Sequence, residues 1–174
     1  QGFISDGNDQ LAREDMFPSK VAVYNDNKLI GTAATTAQAN FDTAHPLYQL
    51  IAELAEVRKA TPALTFGRTV IRAFSDQPGL LAVSRFDPHP GREVVLAYNT
   101  STRPLSQTVA IEPASMAFTA LAGQCPVAAN APGSITITLP PLGFAVCAAR
   151  DCSQFRVALM TRLSRQQVQS RATT

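Results

Sequence analysis

Leu80-Leu81-Ala82-Val83-Ser84-Arg85-Phe86 and Glu93-Val94-Val95-Leu96-Ala97-Tyr98-Asn99 stand on either side of Asp87-Pro88-His89-Pro90-Gly91. Each flank is a short apolar run bounded by turn residues, which reads as a strand. The Pro- and Gly-rich stretch between them reads as a turn. The same punctuation recurs in both directions: Gln77-Pro78-Gly79, Ser101 to Pro104, Pro132-Gly133 and Pro140-Pro141-Leu142-Gly143. It separates further candidate strands, so that the set is 69–74, 80–86, 93–99, 106–111, 117–121, 134–139 and 144–147. Short strands spaced in this way predict a small antiparallel β-sandwich over residues 66–149.

Upstream the period changes. Leu47, Leu50, Ile51, Leu54 and Val57 recur at helical spacing, with Glu53, Glu56, Arg58 and Lys59 on the other side. Pro46 suits the first helical position, and the two bases fall in the last turn, where the helix dipole favours them. Thr61-Pro62 closes a helix over 46–60. Residues 1–45 are polar and irregular, with short helical turns expected at 11–16 and 18–24. A loop of that length inside a compact domain is usually functional.

Residues 150–174 contain no Gly, Pro or Lys. Five Arg and one Asp give them +4, whereas residues 1–149 carry −2. The simplest reading is a solvated extension. Phe155, Leu159 and Leu163 would also allow a basic amphipathic helix at an anionic membrane, but membrane contact is not the expectation. The body shows no basic patch with interleaved aromatics, and so no nucleic-acid footprint. With 174 residues and 45% hydrophobic composition, the chain can bury a sizeable core. No apolar run is long enough to span a bilayer, and no signal peptide is visible in these residues.

Cys125, Cys147 and Cys152 form no C-x-x-C and have no clustered His, which argues against zinc. Cys125 follows Gly123-Gln124, and Cys147 ends the run Phe144-Ala145-Val146. The two could meet at the ends of neighbouring strands as a disulfide, implying an oxidising compartment. Two buried free thiols are the alternative. His45 and His89 are isolated and read as surface polar residues. No nucleophile elbow, P-loop or zinc-protease helix occurs. A calcium loop starting at Asp6 would need Gly and Glu where Leu11 and Phe17 stand. Glu14 and Asp15 are adjacent and cannot flank a scissile bond. The residues alone yield a loop, a helix, a sandwich and a tail, without a self-contained active site.

Several stretches, taken in order, carry a resemblance. They are Gln1-Gly2-Phe3, Asp6-Gly7-Asn8-Asp9-Gln10 and Arg13-Glu14-Asp15-Met16-Phe17, then Phe41-Asp42-Thr43-Ala44-His45-Pro46-Leu47-Tyr48, then Leu54-Ala55-Glu56-Val57-Arg58-Lys59-Ala60-Thr61-Pro62-Ala63-Leu64. The order resembles the end of the (β/α)8 barrel of α-amylase-type glycoside hydrolases (family 13), with Phe66-Gly67 leading into their C-terminal domain. The resemblance implies an α+β fragment: the last loop and helix of a barrel (1–65), an antiparallel Greek-key β-sandwich (66–149) and a basic tail (150–174). It implies a parent enzyme acting on α-glucans with retention, whose paired carboxylates would sit upstream of Gln1, so that this chain is not catalytic by itself.

Under that resemblance, residues 1–45 open on the catalytic face. Asp6, Asp9, Gln10 and Arg13 could then bind sugar hydroxyls, or equally hold the loop through pairs such as Arg13 with Asp9 or Glu14. Phe3, Phe17 and Tyr24 could stack on sugars or anchor the loop. No cofactor is expected in this chain, although members of the family often bind calcium. The expected partners are an α-glucan, reached through the parent barrel, and the barrel itself. The expected location is secreted or periplasmic. A non-catalytic carbohydrate-binding sandwich is the alternative, disfavoured because Tyr98 is the one Tyr, and no Trp occurs, in 66–149.

Overall fold

The computed structural model describes residues 16–88 and 92–150. The chain divides into two compact units, Gln1–Glu56 and Val57–Thr174.

In the first unit a 3-10 turn covers Ala22–Asn25, within the stretch where a helical turn was expected at 18–24. The 11–16 turn lies almost wholly outside the described residues. A small hairpin follows: Leu29 N–H donates to the Ala34 carbonyl at 3.0 Å, and Thr36 N–H to that of Asn27 at 2.9 Å. Gly31 turns it with φ of 79°, a left-handed conformation that costs glycine little. Helix α1 spans Pro46–Ala60, with Arg58 and Lys59 in its last turn, as the periodicity predicts. The structure corrects the reading of His45. It is buried, and its Nδ1 accepts the Leu47 N–H at 3.2 Å, so it satisfies one of the free donors at the helix start.

The proline that ends α1 also begins α2, Pro62–Phe66, because Thr61 is extended and Pro62 takes the first helical position. Gly67 then turns the chain into the sheet. A Cβ there would stand 2.3 Å from the Ala63 carbonyl oxygen and 2.5 Å from that of Phe86. Both are backbone atoms and cannot yield cheaply. Gly67→Ala is expected to lower stability by roughly 2–3 kcal/mol, within the usual range for overpacking. A denaturant midpoint within error of the parent chain would refute this.

Seven strands follow: β1 Arg68–Ala73, β2 Leu80–Phe86, β3 Glu93–Asn99, β4 Leu105–Ala110, β5 Phe118–Gly123, β6 Ser134–Leu139 and β7 Phe144–Ala149. Three of them, β2, β3 and β6, have the bounds the turn residues predict. The other four are displaced at one or both ends. Five strands form one antiparallel sheet in the order β1-β2-β3-β7-β5, and β4 pairs with β6 in a second. The chain therefore leaves the first sheet after β3, returns for β5, leaves again for β6, and inserts β7 between β3 and β5. The expected Greek-key type of sandwich is the architecture of this unit.

The alternation of side chains fills the space between the sheets. Leu80, Ala82, Val95, Ala97, Ala145 and Cys147 from the larger sheet meet Val109, Ile135, Ile137 and Leu139 from the smaller. Cys147 is joined to Cys125, with 5.7 Å between the Cα atoms. The position differs from the strand-end meeting that the sequence suggests. β7 runs on to Ala149, so Cys147 lies mid-strand opposite Ala120, and Cys125 reaches it from the connection after β5. Gly123, with φ of 66°, lets the backbone pass the Phe144 carbonyl at that point.

One polar group lies at an end of this core. Glu93 is buried, and its Oε1 accepts from Arg72 Nη2 at 2.9 Å and from the Ser84 hydroxyl. Its Oε2 accepts the Glu112 N–H at 3.0 Å. Arg72 Nε also donates to Ser84 Oγ at 2.8 Å. A buried carboxylate is tolerated when it is paired and hydrogen-bonded on both oxygens, as here.

Candidate functional site

Among the described residues of the first unit, the helical stripe that defines α1 is only partly covered, with Leu47 and Leu54 half-buried. No residue of α1 is buried, and Ile51 remains 67% exposed. Within the same unit the chain preceding the helix extends this surface. Met16, Asn40 and Phe41 on one side, with Leu47, Tyr48 and Ile51 on the other, line a groove of about 700 Å³. Phe41 is 65% exposed. The loop wall is held by its own hydrogen bonds. Asn40 N–H donates to the Met16 carbonyl at 2.7 Å, and Asn40 Nδ2 to that of Gln38 at 2.9 Å. Gln49 Nε2 donates to the Thr43 carbonyl and ties the helix to the loop.

This groove can bind but does not present a reaction centre. Asp42 is the acidic residue in its lining, and its Oδ1 already accepts the Ala44 N–H at 2.8 Å. The remaining lining is mainly apolar. Such a surface gains free energy by excluding water, at about 25 cal/mol per Å² of apolar area, and an exposed patch of this kind marks an interaction site. Among the described residues, no three His, Cys, Asp or Glu come together to hold a metal ion.

Asp6, Asp9, Gln10 and Arg13, the residues read as sugar contacts, lie outside the described residues, as do Phe3, Glu14, Asp15, His89 and Cys152. Phe17 and Tyr24 are exposed. The groove wall formed by Met16, Asn40 and Phe41 escaped sequence reading because it has no period. The only signal available was a large apolar residue, Phe41, directly ahead of Asp42-Thr43 and the helix start.

Over 141 residues, 80% of its length, the chain is 41% identical to an alpha-amylase of Streptomyces lividans, of which it spans 15%. No family model matches it. Among solved structures, the alpha-amylase from H. orenii superposes with a TM-score of 0.52 at 18% identity, over 85% of this chain and 30% of that one. An Anoxybacillus alpha-amylase gives 0.51 at 20% identity, over 70% and 26%. At these identities the structural likeness speaks for the fold.

Proposed function

The chain belongs to the α-amylase family of glycoside hydrolases and corresponds to part of such an enzyme, and on that premise we propose that it closes a retaining, α-glucan-acting hydrolase without being catalytic on its own. In this reading residues 1–65 complete a (β/α)8 barrel and 66–149 form the C-terminal sandwich, with 150–174 as a basic tail. Asp6, Asp9, Gln10 and Arg13 line the sugar cleft, and the α-glucan is engaged through the barrel. The observation that carries the reading is the α1 stripe, partly exposed among the described residues, with its groove. A helix of this amphipathic pattern gains its stability by burying that face, and the elements of a barrel supply the missing layer. The Cys125–Cys147 bridge supports a secreted or periplasmic location.

The reading is tested by the intact mass of the native product, taken without reduction. A mass larger by a barrel, roughly 250 residues, is expected. A product of 18.6 kDa would overturn it.

Among the described residues the groove is open to water. Ile51→Glu combined with Phe41→Ser is expected to raise the soluble fraction of the 174-residue chain severalfold, by removing the largest exposed apolar side chains from the patch. An unchanged soluble fraction, measured by sedimentation and light scattering, would show that the groove is not what drives association.

A further inference from the structure

Strand β4 is an edge of the smaller sheet, with β6 as its one strand partner among the described residues. Ile111 N–H donates to the Gly133 carbonyl at 3.0 Å. Antiparallel bonding alternates from there, so Leu105, Gln107 and Val109 bond toward β6. Ser106, Thr108 and Ala110 turn their N–H and C=O groups outward. The side chains of Ser106, Gln107, Thr108 and Ala110 are exposed. An open row of this kind is a template for another strand.

The edges of the larger sheet are blunted. β1 carries Arg68 and Arg72 and a register shift between Ile71 and Ala73, devices that discourage pairing. The start of β5 is covered, since Phe118 N–H donates to the Val127 carbonyl at 3.0 Å and Ala129 N–H to that of Met116 at 3.0 Å. β4 has no charged residue, Pro or register shift within Leu105–Ala110. Its charges stand just beyond its ends, Arg103 before it and Glu112 after it, both exposed. Neither belongs to an ion pair among the described residues. A strand flanked in this way is complementary to itself, because antiparallel pairing sets the start of one copy against the end of the other. β6 has no charged residue in either flank, 127–133 or 140–149, and so nothing of this kind to select a partner.

The hydroxyls on the outer face agree with the charges. Ser106 Oγ lies 2.9 Å from Thr138 Oγ1, and Thr108 Oγ1 lies 2.8 Å from Thr136 Oγ1. Pairing two β4 strands about a two-fold axis at Gln107 sets Ser106 opposite Thr108 of the second copy. Both rows of hydroxyls then continue across the join. The same register brings Arg103 within one residue of Glu112 of the second copy, twice by symmetry. We propose that β4 pairs antiparallel with β4 of a second copy of this chain, giving a continuous four-stranded sheet in the order β6-β4-β4-β6.

The test is sedimentation velocity on the full chain carrying Ile51→Glu and Phe41→Ser, so that association through the α1 groove does not contribute. A reversible monomer–dimer equilibrium is expected at concentrations up to about 0.5 mM, since a single strand pair is a small interface and binds weakly. Arg103→Glu should weaken the dimer about tenfold, and Glu112→Arg likewise, because each turns two attractions into repulsions. The two together should restore it. Gln107→Lys, which sets like charges opposite each other at the axis, should abolish it. Thermal melts confirm that the variants are folded, and Arg103 and Glu112 both lie outside the strands. A monomer at every concentration would overturn the proposal. So would equal association of the parent and all variants, or a double variant that associates no better than either single one.

Discussion

Glu93→Ala is expected to unfold the sandwich or bring it close to unfolding. The substitution removes one carboxylate and orphans three donors: the Arg72 guanidinium, the Ser84 hydroxyl and the Glu112 N–H. Arg72 is only 15% exposed at its side chain, so its charge would remain in a partly dry site without its counter-ion. Breaking a buried pair from one side costs about 3–5 kcal/mol, against total stabilities of about 5–15 kcal/mol for a domain. Glu93→Gln keeps the shape and should cost less. Replacing both partners, as in Arg72→Met with Glu93→Leu, should recover much of the loss, because no charge is then left unpaired. Urea denaturation of the four chains measures this. Equal midpoints for the Glu93→Ala and double variants would show that the pair is not the cause.

Cys147→Ala is expected to cost about 3 kcal/mol, the loss associated with opening a loop of this length. The bridge spans 22 residues of sequence, and these include β6 and the connections on both sides of it. The same substitution removes a fully buried side chain from the interface of the two sheets, so a packing loss adds to the chain-entropy term. Cys125→Ser leaves Cys147 in place and separates the two contributions. Reduction of the parent chain should lower its melting temperature to about that of Cys125→Ser. If dithiothreitol leaves the melt of the parent chain unmoved, the bridge does not contribute to stability.

These two effects show where local sequence and tertiary arrangement part. Glu93 begins a strand that reads as apolar, and nothing in its neighbours along the chain marks it as a buried carboxylate. Its partners lie on three other segments, at Arg72, Ser84 and Glu112. The disulfide was legible as a pairing, since Cys125 and Cys147 flank strands that turn signals delimit. Its place in mid-sheet was not, because the length of β7 is set by pairing with β3 and β5 rather than by its own residues. The predicted sugar contacts at Asp6, Asp9, Gln10 and Arg13 fall outside the described residues.

What the sequence determined by itself is local and periodic: helix α1 from its apolar repeat and its proline boundaries, the strands from their runs and turns, and the antiparallel sandwich from their number and spacing. Pattern suffices there because each side chain's face follows from the backbone period. Tertiary structure alone decided which strands share a sheet, where Glu93 finds its partners, that His45 is buried at a helix start, and that part of the α1 stripe lines a groove with Phe41. The sheet partners and the partners of Glu93 lie far apart in the chain, and no local period encodes such contacts.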